Sequence, residues 1–199
     1  MKKSSITKIA SSTLPTKYGT FAISVYKCGV SDLEHVALVH GNVRGTAALV
    51  RVHSQCLTGD TFGSLRCDCQ AQLHESIRII QKAESGIIIY LNQEGRGIGL
   101  GNKIKAYALQ DRGYDTVEAN HALGFPADAR GYEIAALMLK DLGVEKIKLL
   151  TNNPDKEKQL TQYGIKILKR VPLEIKHNEI NATYLSTKKR KMGHRLTKI

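Results

Sequence analysis

Three of the four cysteines fall in one short stretch, at Cys56, Cys67 and Cys69. Cys67 and Cys69 are two apart, so on extended backbone both sulfurs point to the same face. The ten residues between Cys56 and Cys67 include Gly59, Asp60, Gly63 and Ser64, turn formers that let the chain double back and bring the third thiol alongside the pair. Three soft ligands on one side suit zinc. Three protein ligands with an open fourth position are the arrangement of a catalytic zinc, whereas a structural zinc usually takes four. Two plainer readings stand beside it: Cys28 supplies a fourth ligand to a structural zinc, or Cys67 and Cys69 are a redox pair or small core residues. A lone Cys28 is otherwise expected to pack, since cysteine is among the most buried residue types.

A second chemistry-bearing stretch runs from Asn92 to Lys103 and reads Asn-Gln-Glu-Gly-Arg-Gly-Ile-Gly-Leu-Gly-Asn-Lys. A glycine-rich turn between a strand and a helix presents backbone N–H groups at the helix start, where the helix dipole also favours an anion. It is neither a Walker loop nor a dinucleotide fingerprint. Arg96, Lys103 and Lys105 argue for a phosphate site; a merely flexible turn is the alternative.

The elements that must hold these stretches follow from periodicity. Residues 21–26 alternate, 36–40 form a short apolar run and 47–53 lead into the cysteines, with Gly41, Asn42 and Gly45 between them. An antiparallel lobe is expected over about 12–56. Leu73, Ile77, Ile80 and Ala83 recur at helical spacing over 70–84, and Gly86 precedes the buried-looking strand 87–91. A helix through Ile104, Tyr107 and Ala108 stops near Gly113, and another over 132–142 places Ile134, Leu137, Met138 and Leu142 on one face. Strand 147–150, the turn at Thr151 to Pro154, a helix to Tyr163 and strand 165–168 make a β-α-β unit whose right-handed crossover sets the strands parallel. The expectation is a single α/β domain over 1–199. It has a mostly antiparallel strand lobe joined to an alternating β-α lobe with a mixed or parallel sheet over about 70–172. The segment 183–199, with Lys188, Lys189, Arg190 and Lys191, reads as a solvated basic tail or as an anion-attracting arm.

Composition narrows the partners. With 199 residues and 42% hydrophobic content, the chain can bury a proper core. Thirty basic against 18 acidic residues leave a formal charge of +12, which calls for an anionic partner: nucleic acid, a membrane surface or a polyphosphate. There is no Trp, and the three Phe and eight Tyr do not interleave with a basic face, which argues against single-strand binding. No apolar run is long enough to span a bilayer. Met1, Lys2 and Lys3 resemble the charged start of a signal peptide, but no apolar region follows before Pro15, so the expected location is cytoplasmic, where grouped thiols bind metal rather than pair.

A resemblance covers roughly residues 12–196. Arg51-Val-His-Ser-x-Cys56-Leu-Thr-Gly-Asp60, Arg66-Cys-Asp-Cys69, Gln93-Glu-Gly-Arg-Gly-Ile-Gly-Leu100, Asn102-Lys-Ile104, Tyr107-Ala-Leu-Gln-Asp111, Gly113-Tyr-Asp-Thr-Val-Glu-Ala-Asn120 and Leu150-Thr-Asn-Asn-Pro154 look like GTP cyclohydrolase II, the zinc enzyme that opens riboflavin synthesis. The motifs occur in the family's order. The resemblance implies hydrolysis of GTP with loss of carbon 8 of guanine as formate and release of pyrophosphate, giving 2,5-diamino-6-ribosylamino-4(3H)-pyrimidinone 5′-phosphate. It implies that Cys56, Cys67 and Cys69 hold the zinc, whose activated water attacks carbon 8 and then the formyl amide. Tyr107 would orient or protonate the ring-opening step. Asp128 would accept a proton, and Arg130 holds the position assigned to attack at the α-phosphate; because a guanidinium stays protonated, a clamp on phosphoryl charge is the easier chemistry.

The same matching makes Arg51, Val52, His53, Ser54, Gln55, Gln72, Glu94, Gly95, Arg96, Thr116, Thr151 and Lys156 the GTP-binding residues. Arginine and lysine would meet the triphosphate, while side-chain amides and carboxylates read guanine edges. The resemblance also implies Mg2+ with the phosphates, a homodimer, and no nucleic-acid or membrane partner. The fused butanone-phosphate synthase domain common in the family is expected to be absent. Four departures sit beside the expected sites: Gln55 where the family usually has Glu, Gln70 and Ala71 where it commonly has Gly and a larger apolar residue, and Gly131 where it has an acid. The competing class is a zinc-containing basic module that binds nucleic acid without catalysis, which would lose affinity steeply with salt and leave free GTP intact.

Overall fold

The computed structural model describes residues 5–29, 32–175, 178 and 180–197. Seven strands form one mixed sheet in the order β1-β2-β3-β5-β4-β6-β7. The strands are β1 (Ile6–Thr16), β2 (Gly19–Cys28), β3 (Glu34–His40), β4 (Ala47–Ser54), β5 (Gly86–Leu91), β6 (Lys146–Leu150) and β7 (Lys166–Val171). β1, β2, β3 and β5 pair antiparallel, while β5, β4, β6 and β7 pair parallel. This is the mixed α/β architecture expected from the sequence, and the structure corrects two details of it. β4 is no part of the antiparallel run: β5 inserts between β3 and β4, because the helix after β4 supplies the crossover that a parallel neighbour needs. β1 adds an eleven-residue strand that the sequence hides. Its side chains are almost all exposed, so nothing selects an apolar alternation, and pairing with β2 holds it. Pro15 is tolerated because β1 is an edge strand.

Six helices complete the described chain: α1 (Cys69–Lys82), α2 (Leu100–Gln110), α3 (Thr116–Ala122), α4 (Glu133–Asp141), α5 (Pro154–Gln162) and α6 (Ala182–Met192). Local chemistry starts two of them. Asp115 accepts from the Val117 and Glu118 N–H groups while the Glu118 carboxylate accepts from Asp115 N–H, a reciprocal cap written in the sequence as Asp-x-x-Glu. Asn153 caps α5 and Pro154 occupies its first turn, where a missing N–H costs nothing.

β5 is buried on both faces, with Ile87, Ile88, Ile89 and Leu91 all fully enclosed; each such side chain contributes about 1.5–3 kcal/mol relative to exposure. Ile87, Ile89 and Leu91 join Val50, Val52, Ala135 and Met138 in one core layer. Ile88 joins Phe21, Ile80 and Leu150 in the other. On β4 the alternation that buries Val50 and Val52 turns Arg51 and His53 toward the second face, where both are nonetheless buried. Charge therefore enters the sheet at one place only on this strand, its carboxyl end. Among the described residues no helix is long and apolar enough to cross a membrane. Met1, Lys2 and Lys3 lie outside the described residues.

Candidate active site

The chain leaves β4 at Ser54 and enters a single π-helical turn, Leu57–Thr61, that folds back on the start of α1. That turn brings the three sulfur ligands together: Cys56, Cys67 and Cys69 place their Sγ atoms within 4.8 Å of one another, and Cys56 Sγ lies 3.7 Å from Cys67 Sγ. A tetrahedral zinc with Zn–S bonds near 2.3 Å needs sulfurs separated by about 3.8 Å, so the three thiols fit that ion in both kind and spacing. The two cysteines of the pair are not on a strand, as their spacing suggests; Cys67 precedes and Cys69 begins α1. Gly59 makes the close approach possible, because a Cβ there would stand 2.8 Å from Cys67 Sγ and 3.0 Å from Cys56 Sγ. Cys28 lies at the end of β2 opposite Ile6, outside the cluster.

Three buried groups brace the cluster. Asp60 accepts from the Cys56 N–H at 3.0 Å and from the Tyr90 hydroxyl at 2.9 Å, and both its oxygens lie 3.1 Å from His53 Nε2. Lys103 donates to Cys56 Sγ at 3.1 Å and to Glu94 at 2.8 Å. The neighbouring thiols, with Lys103 behind them, hold the Cys56 sulfur well below the usual thiol range despite its burial. Glu94 in turn accepts from Leu57 N–H at 2.6 Å and Gly95 N–H at 2.9 Å. Lys103 thus braces the cysteine loop, and Lys105 is exposed, where their place after the glycine-rich turn suggested two free phosphate ligands. Asp60 looked like a turn former in the sequence; its fourfold contact is visible only once His53 and Tyr90 arrive from two strands.

Tyr107 on α2 stands over the cluster, its hydroxyl 3.4 Å from Thr58 Oγ1, which is 3.8 Å from Cys56 Sγ. Burial raises its pKa, so the phenol keeps its proton at neutral pH. Arg66 caps the ring, 4.9 Å from its centroid.

Beside the cluster a cavity opens at the carboxyl ends of β4, β5 and β6. It is lined by the expected residues Arg51, His53, Ser54, Gln55, Gln72, Glu94, Gly95, Arg96, Thr116, Arg130, Thr151 and Lys156, by Tyr107, and by all three cysteines. Val52 points into the opposite core layer; its carbonyl accepts from Lys156 Nζ at 2.6 Å. Asp128 stands behind Arg130, which it holds through both oxygens at 2.8 and 2.5 Å. Burial opposes charge on each of the pair; even so, the pairing keeps Asp128 below the usual carboxylate range and Arg130 above the usual guanidinium range.

Three cations of this cavity are undercompensated. Arg51 donates to Leu150 O at 3.2 Å and Gln72 at 2.6 Å, Arg96 to Ala127 O at 3.3 Å, and Lys156 only to Val52 O; none of these acceptors is a carboxylate. Arg51 Nε and one terminal nitrogen of Arg96 are buried with no hydrogen-bond partner. Burial, with Arg51 and Arg130 close by, pushes Lys156 far below the usual lysine range. Arg96 adopts a left-handed backbone, φ 61°, that non-glycine residues rarely take, and this turns its side chain into the cavity. Strained backbone and unpaired donors together mark a site organised around an anion.

One whole wall comes from the segment that the sequence left open between a solvated tail and an anion-attracting arm. Tyr184, Lys188, Met192, His194 and Leu196 line the same cavity, and the segment carries a helix, not a solvated tail, whose Lys188 pairs with Asp68 at 2.8 Å. The spacing Tyr184, Lys188, Met192 was the available signal.

Fold and site together define an α/β protein with a three-cysteine cluster, able to hold a metal ion, facing a buried cationic cavity. A family model described as GTP cyclohydrolase II matches residues 7–172, and the chain belongs to that family. Riboflavin biosynthesis protein RibBA of Chlorobium phaeovibrioides is 54% identical over 99% of this chain and 48% of its own length. The same-named proteins of Endomicrobium trichonymphae and Bacillus cereus are each 52% identical, over 98% and 96% of this chain and 48% of their own lengths. The chain spans about half the length of these curated relatives.

Proposed function

We propose that this chain hydrolyses GTP, opening the guanine imidazole ring with release of formate and pyrophosphate to give the diaminopyrimidinone ribosyl phosphate that begins riboflavin synthesis. The observation that carries it is the juxtaposition of a three-thiol cluster, Tyr107 and a buried set of unpaired cations in one cavity. Bound zinc would bring a water pKa down to about 7 and so supply hydroxide at neutral pH. The protonated Tyr107 orients or protonates the opening ring. Arg51, Arg96 and Lys156 hold the triphosphate, with Mg2+ sharing its charge. Arg130, fixed in its charged form by Asp128, stabilises charge developing at the α-phosphate, a role its raised pKa supports better than nucleophilic attack. Asp128, ionised by the same pairing, is available as a proton acceptor once that pairing loosens.

Glu94 and His53 act through their neighbours, since their polar contacts go to the metal loop. Arg51, Arg96 and Lys156 are gathered in one cavity, which favours a small polyanion over nucleic acid at this site. The homodimer expected from the resemblance and the cytoplasmic location expected from the sequence belong to the same proposal. The test is incubation of the zinc-loaded protein with GTP and Mg2+ while formate and pyrophosphate are quantified. Equimolar formation of both supports the reading; intact GTP together with salt-sensitive nucleic-acid binding sinks it.

A further inference from the structure

The family match ends at residue 172, yet the cavity is closed by residues beyond it. Tyr184, Lys188 and Met192 recur every fourth residue on α6, so they share one face, and that face is the one turned to the cavity. The helix stops at Gly193, whose left-handed φ of 64° reverses the chain. His194 N–H then donates to Lys188 O at 3.1 Å and Arg195 N–H to Asn152 O at 2.9 Å, which returns His194 to the cavity. Side-chain anchors hold this segment in place. Lys188 pairs with Asp68, between two of the cysteines, Lys191 pairs with Asp115 and Glu118 at the α3 cap, and Thr197 donates to Glu174 through its N–H and hydroxyl at 2.8 and 2.9 Å.

What the segment presents is chemistry for an anion. Tyr184 holds two cations against its ring, with Arg96 5.6 Å and Lys188 4.4 Å from its centroid, contacts that order both side chains. His194 Nε2 is buried without a hydrogen-bond partner. Burial and four surrounding cations, Lys188, Arg130, Lys156 and Arg96, bring its pKa down to about 3, so the imidazole is neutral, and in its Nε2–H tautomer that nitrogen has a free proton to donate. A buried donor left unsatisfied costs about 1–3 kcal/mol, a cost that oxygen acceptors of a polyphosphate would remove.

We infer that residues 182–197 form the fourth wall of the polyphosphate subsite, in which Lys188 and His194 contact phosphate oxygens and Tyr184 positions Lys188 and Arg96. This rests on the proposed reading only in equating that polyphosphate with the triphosphate of GTP. The test is calorimetric binding of inorganic tripolyphosphate to the full-length, zinc-loaded chain at fixed ionic strength. His194→Ala and Lys188→Met are expected to weaken binding by about tenfold or more, the size of one charge-assisted hydrogen bond. Arg190→Met, on the exposed side of the same helix, should change it less than twofold. His194→Ala should keep its zinc and its melting behaviour, and should raise KM for GTP more than it lowers kcat. Unchanged tripolyphosphate affinity in folded His194→Ala overturns the inference, as does an Arg190→Met loss equal to that of Lys188→Met, or a wild-type chain that does not bind tripolyphosphate. Tripolyphosphate binding with this pattern but no formate from GTP would leave the inference standing and remove the proposed activity instead.

Discussion

The two halves of the sheet spend their residues differently. In the antiparallel half, β1 pairs along its length with β2 yet leaves most of its side chains in water, and no residue of β1 or β2 lines the cationic cavity. In the parallel half, β5, β4, β6 and β7 run the same way, so their carboxyl ends meet along one edge. The chain crosses from β4 to β5 on one side and later returns to β6 on the other, which makes the gap between β4 and β6 a topological switch point. Arg51 and His53 come from one lip of that gap, Thr151 and Lys156 from the other, and the cysteines and the glycine-rich turn from the connections after β4 and β5. A meander brings strand ends together two at a time at opposite edges; parallel crossovers bring several loops to one place.

The sharpest way to break this contrast is to change a cysteine in each half. Cys67→Ser is expected to abolish both zinc binding, about one ion per chain in the parent, and formate production, because affinity depends on all three thiolates; Cys28→Ser should alter neither metal content nor rate. Zinc loss from Cys28→Ser would place a metal ligand in the antiparallel half and undo the comparison.

Lys156→Met comes next in size. Removing a buried cation that has only a carbonyl partner should weaken GTP binding by about tenfold to a hundredfold while raising the melting temperature of the unliganded protein by about 2–4 °C per kcal/mol recovered. Lower stability in the variant would show that the charge is compensated. The sign with pH follows from the same residue. Its folded pKa is depressed, so between that value and the ordinary lysine value the unfolded chain binds more protons, and stability rises with pH across that window. Denaturant titrations from neutral to alkaline pH should show this rise in the parent relative to Lys156→Met; parallel curves would count against it.

Tyr107→Phe removes one hydroxyl beside the cluster, and pyrophosphate release should survive better than ring opening, whereas Arg130→Ala should impair pyrophosphate release most. Equal losses of both products in both variants would dissolve the division between the metal end and the phosphate end of the cavity. The smallest effect is expected at Gln55, which lines the cavity next to Cys56. Gln55→Glu is predicted to lower KM for GTP or the Mg2+ requirement by up to about tenfold, since an ionised acceptor makes the stronger hydrogen bond; steady-state kinetics that match the parent would show the amide to be neutral there.

Local chemistry was enough for the sequence to determine much of this protein. The apolar run of β5, the Asn-Pro start of α5 and the grouping of Cys56 with Cys67 and Cys69 are all short-range patterns that residue type and spacing dictate by themselves. The strand β1 escaped because an exposed edge strand has no face to bury, and β4 was misplaced because strand order is decided by crossovers, not by any strand's own residues. Lys103 was assigned to phosphate on its position after a turn, but only the fold decides that it meets Glu94 and Cys56. Asp60, Asp68 and Lys188 show the same limit. Each is an ordinary charged residue in the sequence, and each acquires its function from partners as many as 120 residues away, because a buried charge is defined by what the tertiary structure packs around it.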